Sequence, residues 1–97
     1  MNDTIELSLA LGHLRNAAAG FIRQPDPTGE AMFLAAECLD VECLVTELGV
    51  LPEWLPDDGA TPSECLARSV EALESAPASA VPLGVWAAVK ALHDKAL

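Results

Sequence analysis

The side chains best suited to chemistry in this sequence are three cysteines and two histidines: Cys38, Cys43, Cys65, His13 and His93. Cys38 and Cys43 are five positions apart, which on a regular helix separates them by about 140° around the axis. Neither a Cys-x-x-Cys pair nor a His-Glu-x-x-His run is present, so we expect no metal site. Cys65 lies in the first turn of a predicted helix, but no spacing brings a histidine to it as a base. The cysteines are therefore expected to be small, reduced and buried, with no cofactor.

His13 has the most specific local context. A hydrophobic residue, a basic residue and Asn follow it, and positions 17–22 are apolar or glycine. This run, Leu-Gly-His-Leu-Arg-Asn and onward, resembles the phospho-acceptor helix of two-component histidine kinases and histidine phosphotransferases. It lacks one residue that those families usually place after the histidine. The resemblance implies a phosphotransfer component that uses His13, and we keep this as an alternative to a surface histidine on an amphipathic helix.

Glu42 is the one carboxylate whose position is informative. On the predicted second helix it falls among small residues rather than among the other acids. Burying an isolated carboxylate is costly, so Glu42 should either pair with a cation or lie at an oligomer interface. The candidate partners are Arg15, Arg23 and Arg68. We expect a structural ion pair rather than a general acid or base.

Four amphipathic helices must position these residues, and we predict them at 4–23, 30–48, 62–75 and 82–95. Asp3 and Glu6 have capping-box spacing at the first start, and Thr61, Pro62 and Glu64 form a complete N-terminal signature for the third helix. Proline and glycine separate the helices, and no run alternates with period two over a strand's length. The pattern predicts an all-α, compact four-helix bundle of mainly antiparallel neighbours, with one domain over 1–97.

The segment between the second and third helices contains Pro52 and Pro56 and cannot form a long helix. We expect Trp54 and Leu55 to fold back over one end of the core as a lid. A small-molecule binding module, with a pocket capped by Trp54 and Trp86, is therefore a further alternative function.

The predicted second helix carries apolar residues over more than half of its circumference, so it should be the most buried of the four. One stripe contains Leu34, Cys38, Val41, Val45 and Leu48, and the other contains Met32, Ala36, Leu39 and Cys43. The remaining arc, here called the acidic arc, contains Glu30, Phe33, Glu37, Asp40, Leu44 and Glu47. The acidic arc is either an ordinary solvent-exposed surface or a partner-binding face. The large apolar surface also suggests a homodimer.

The net charge of −10, from 15 acidic and 5 basic residues, argues against binding to nucleic acid or to anionic membranes. No transmembrane segment or basic signal peptide is evident, and reduced cysteines fit a cytoplasmic protein. We therefore expect a small, acidic, non-enzymatic protein that mediates protein–protein interaction, as an adaptor, antitoxin, immunity protein or regulator. A basic protein is the partner that this charge favours.

Overall fold

The computed structural model describes residues 5–25 and 29–96, and in these ranges the chain forms helices and no strand. The four α-helices are α1 (Ile5–Arg23), α2 (Glu30–Thr46), α3 (Pro62–Ser75) and α4 (Val85–Ala96), and a 3₁₀ turn (Ala78–Ala80) joins α3 to α4. The predicted all-α four-helix bundle is confirmed. The expected role of Asp3 in capping α1 lies outside the described residues.

The helix ends follow local chemistry. α3 has the predicted bounds because Thr61 and Glu64 form the expected capping box, with both reciprocal hydrogen bonds present at 3.1–3.2 Å. α4 begins later than predicted because Gly84 has a left-handed conformation (φ 86°), which interrupts helical geometry. α2 ends earlier than predicted, at Thr46, whose carbonyl accepts the N–H of Gly49 at 2.9 Å in a tightened final turn.

Around the bundle the helices follow the order α1, α2, α4, α3, so that α1 is diagonal to α4 and α2 is diagonal to α3. Neighbours in this ring are antiparallel. Ser69 of α3 donates to the carbonyl of Ala10 at 2.8 Å, for example, while Gly20, near the other end of α1, faces Pro62. It follows that α2 and α3 run in the same direction. The chain between them must return along the length of the bundle, as in bundles with one long crossover.

Residues 51–57 make this return as an extended strap along the outer face of α1. The hydroxyl of Ser8 donates to the carbonyl of Leu51 at 2.7 Å, and the N–H of Glu53 donates to the carbonyl of Ser8 at 3.0 Å. Two turns further along α1, the amide of Asn16 donates to the carbonyl of Leu55 at 3.2 Å. The two prolines of the strap favour the extended conformation that this path requires.

Gly12 lets the strap lie directly on α1. A Cβ at this position would collide with the carbonyl oxygen of Glu53 and would lie 2.9 Å from Cδ1 of Leu55. The expected lid over one end of the core is therefore wrong, since the strap runs lengthwise over a helix. Leu55 is half-buried, whereas Trp54 is 79% exposed and does not fold back.

The core is centred on α1, and the expectation that α2 is the most buried helix is wrong. Eight residues of α1 are buried, but only five of α2. α1 is enclosed by α2, α3 and the strap, whereas α2 has only α1 and α4 as close helical neighbours. All four residues of one expected apolar stripe of α2 are exposed, and we call it the α2 stripe: Met32, Ala36, Leu39 and Cys43.

Candidate functional site

The acidic arc of α2 borders a groove between α2 and α4. The groove has a volume of about 310 Å³ and is lined by Glu37, Asp40, Val41, Ala88, Ala91, Leu92 and Lys95. An adjoining hollow of about 300 Å³ is lined by Glu30, Phe33, Leu34, Glu37 and Lys95. Four of the six predicted partner-binding residues thus lie on one continuous concave surface, here called the α2–α4 groove.

Small side chains on α4 keep the α2–α4 groove open. α2 and α4 form the loosest of the four neighbouring helix pairs, and the wall that α4 contributes contains Ala88 and Ala91. The floor is apolar, with Val41 half-buried and Leu92 buried. Sequence reasoning found the α2 side of this surface and missed the α4 side. The sequence did contain a signal for the α4 side, namely the alanines of α4 that do not belong to its core-facing side.

The apolar members of the acidic arc project into solvent. Phe33 is 71% exposed and Leu44 is 54% exposed. They are eleven positions apart, or about 16 Å along the helix axis, with Glu37 and Asp40 between them on the same face. Glu47 lies just beyond the end of α2, exposed, with its backbone N–H bonded to the carbonyl of Cys43. Leu44 and Glu47 therefore extend the acidic arc past the groove.

All five Lys and Arg side chains interact with groups inside the molecule. Four form ion pairs, Arg15–Glu42 at 2.8 Å, Arg23–Asp57 at 3.0 Å, Arg68–Asp58 at 3.0 Å and Lys95–Glu37 at 3.3 Å, and the fifth, Lys90, lies 5.8 Å from the ring centre of Trp86. Among the described residues, Asp40 and Glu47 form no ion pair. The surface around the groove therefore keeps negative charge that the chain's own Lys and Arg side chains do not neutralise.

Glu42 forms the kind of ion pair that its position predicts. Its carboxylate is 9% exposed and contacts the guanidinium of Arg15, one of the three candidate partners, whose side chain is 56% exposed. The pair joins α1 to α2. No buried side-chain polar atom of the described residues lacks a hydrogen-bond partner, so this site holds no unexplained polar group.

The cysteines do not form a reactive site in the described structure. Burial raises the pKa of Cys38 to about 12. Burial also raises the pKa of Cys65, and the nearby Arg68 opposes this shift only in part, so the thiol is not activated although it lies in the first turn of α3. Cys43 is exposed, contrary to the expectation of three buried cysteines. Residues 5–25 and 29–96 contain no group of three or more His, Cys, Asp or Glu side chains that could hold a metal ion.

His13 is half-buried on α1, beside α3. Burial lowers its pKa from the ordinary value of 6.5, and the positive charge of Arg68 lowers it further, against smaller opposing effects of Asp58 and Glu71. The imidazole is therefore mainly neutral at pH 7. Phosphotransfer through His13 stays a prediction, and no feature of the described structure favours it.

The two tryptophans do not share a pocket. Trp54 lies on the strap over α1, whereas Trp86 lies at the start of α4, across the bundle. Trp86 lines a groove of about 390 Å³ between the end of α3 and the start of α4, together with Leu73, Pro82 and Leu83. The expected pocket capped by both rings is therefore not formed.

Comparisons with known proteins identify no function, so the functional interpretation depends on the α2–α4 groove. None of the helices in the described ranges combines the length and the apolar character needed to cross a membrane. No protein-family model, curated protein or solved structure matches this chain.

Proposed function

We propose that this protein is a small cytoplasmic, non-enzymatic adaptor or regulator that binds a basic helical segment of another protein in the α2–α4 groove. The observation that carries the proposal is the combination of exposed Phe33 and Leu44 with the acids Asp40 and Glu47, which have no ion pair among the described residues. Lys95, the cation that lines the groove, pairs with Glu37, so cations for Asp40 and Glu47 would have to come from a partner.

A helix is the partner element that this surface suits. The groove lies between two antiparallel helices, and its apolar floor is narrow and bordered by charge. An amphipathic helix binds such a groove through apolar residues at positions i, i+4 and i+7. Lys or Arg residues beside that apolar row would then reach Asp40 and Glu47. Specificity would come from the placement of these charges, and affinity mainly from the apolar contacts.

Charge reversal in the groove tests this proposal. Tagged wild-type protein, Asp40→Lys and Glu53→Lys would each be used to capture partners from the native cell, followed by mass spectrometry. Glu53 is an exposed acid of the strap, over α1, so its replacement changes the net charge equally at a distant surface. We expect partners that bind wild type and Glu53→Lys but are lost with Asp40→Lys.

Captured partners should also respond to apolar substitutions and to salt. Phe33→Ser should weaken the same binding by at least about tenfold, because the aromatic ring supplies buried apolar area. Added salt should weaken it further, because opposite charges attract each other across the interface. Identical capture by wild type, Asp40→Lys and Phe33→Ser would overturn the proposed function.

A further inference from the structure

A second exposed surface of α2 lies on the opposite side of the acidic arc from α4. This surface is the α2 stripe, in which Met32 is 55% exposed and Leu39 is 44% exposed. Its members follow spacings of four, three and four and include no charged residue. That is the a/d spacing with which one helix pairs along another. Nothing within the described part of the molecule covers it.

We propose that the α2 stripe pairs with the same stripe of a second copy of this chain, with the two α2 helices antiparallel about a twofold axis. The alternation of side-chain size along the stripe supports this pairing. Large and small residues follow each other in the order Met32, Ala36, Leu39 and Cys43. Such an order is complementary to its own reverse, which is the requirement for a twofold interface between identical surfaces.

Antiparallel pairing places every large side chain against a small one. Met32 of one copy meets Cys43 of the second copy, and Leu39 meets Ala36 of the second copy. The small residues let the helices approach closely, while the large residues fill the space beside them. Parallel pairing would oppose leucine to leucine and methionine to methionine, and would leave a gap between facing alanines.

The neighbouring surface of α1 extends this apolar area. Arg15 faces α2, since it contacts Glu42. Ile22 lies two turns after Arg15 on the same side of α1 and is exposed by about half of its surface. This spacing places Ile22 on the side of α1 that faces α2, towards the end of the α2 stripe where Met32 lies. A second copy covering the stripe would remove all of these exposed apolar side chains from water.

Electrostatics distinguishes the α2 stripe from the acidic arc. A second copy brings the same acids, and the lysine at this surface, Lys95, already pairs with Glu37, so two acidic arcs would repel each other. The stripe is uncharged, but Asp40, which follows Leu39, and Glu47, four positions after Cys43, flank it in each copy and would repel the same acids of the second copy. Salt screens such repulsion, so dimerisation should strengthen with salt, in contrast to binding of a basic helix. The α2–α4 groove stays open in each copy.

Sedimentation equilibrium over a range of protein concentrations tests the dimer. We expect a reversible dimer whose Kd falls when NaCl is raised. Leu39→Glu should raise the Kd by at least about a hundredfold, because it places two desolvated charges in the interface. Leu44→Glu, at an equally exposed leucine of the acidic arc, should leave the Kd within about threefold of wild type. Circular dichroism and urea unfolding would show that both variants keep the fold.

Two results would overturn the proposed interface: a monomer at every concentration and salt level, or a dimer whose Kd Leu39→Glu leaves unchanged. Neither result depends on binding of another protein in the α2–α4 groove, so this proposal and the proposed function can fail separately.

Disulfide crosslinking under a mild oxidant tests the antiparallel order. Cys38 and Cys65 are buried, so Cys43 is the accessible thiol of the described chain. Met32→Cys should form an intermolecular disulfide with Cys43 of the second copy, and the same variant with Cys43→Ser should not. Wild type should also fail to crosslink, since two copies of Cys43 would lie about 16 Å apart along the helices. Efficient crosslinking of wild type would overturn the antiparallel arrangement.

Discussion

α1 and α2 are the two longest helices, and α2 is the richer in apolar residues, but α1 is enclosed whereas α2 is exposed on two sides. α1 buries even Gly12, whereas α2 leaves Met32, Phe33, Leu39 and Leu44 in contact with water. Apolar content therefore does not decide which helix is central. The path of the connecting chain decides it, because the strap covers a side of α1 that the other helices leave open.

Small and polar residues line the side of α1 on which the strap lies. Ser8, Gly12, Asn16 and Gly20 recur every four positions and so form one row along the helix. Ser8 and Asn16 donate hydrogen bonds to the strap, Gly12 lies beneath it, and Gly20 lies beneath the ring of Pro62 at the start of α3. α2 has no comparable row of polar groups for a crossing chain, and its exposed apolar residues are free for contacts with other molecules.

The sharpest test of the comparison is one substitution made in each helix. Leu14→Ala removes a fully buried side chain of α1 and should lower the free energy of unfolding by about 3 kcal/mol. Leu44→Ala, on the exposed side of α2, should lower it by less than about 0.5 kcal/mol. Urea unfolding of both variants measures the difference. Similar losses would contradict the assignment of α1 as the central helix.

A smaller effect is expected where the strap contacts α1. Gly12→Ala should lower the free energy of unfolding by about 1–2 kcal/mol, because the new methyl group displaces the Glu53 carbonyl while helix propensity returns part of the loss. The amide of Glu53, which donates to Ser8, should then exchange its hydrogen faster.

Gly20→Ala provides the matched control. Its methyl group would lie 2.8 Å from Cγ of Pro62, at the edge of a ring that can shift, so the loss should be below about 1 kcal/mol. Unchanged stability and unchanged exchange at Glu53 in Gly12→Ala would show that the strap is not packed on α1.

The number and nature of the elements could be predicted from local signals. The capping box at Thr61 and Glu64 fixed the start of α3, and proline and glycine between the helices marked where they are separated. These signals are local because each depends on residues within a turn or two. The acidic arc could be found in the same way, since it is a property of one helix.

What could not be predicted depends on contacts between distant segments. The return of the strap over α1 follows from the direction of α3 relative to α2, which no local pattern records. The same uncertainty made two apolar stripes on α2 look equally buried, although only one faces the core. The α4 wall of the groove was missed for this reason, since Ala88 and Ala91 become informative only once α4 is placed beside α2.

The ion pair that joins the two helices should give an effect similar in size to that of Gly12→Ala, together with an informative asymmetry between its two partners. Arg15→Ala would leave the carboxylate of Glu42, which is 9% exposed, without its cation, and should lower the free energy of unfolding by about 1–2 kcal/mol. Glu42→Gln keeps the shape of the buried side chain and leaves Arg15, which is 56% exposed, to be solvated by water. Its loss should stay below about 0.5 kcal/mol. Urea unfolding at pH 7 compares the two variants. If Glu42→Gln lowers the free energy of unfolding as much as Arg15→Ala, then the pair stabilises the bundle by the attraction between its charges. The expected asymmetry instead means that Arg15 mainly compensates the buried charge of Glu42.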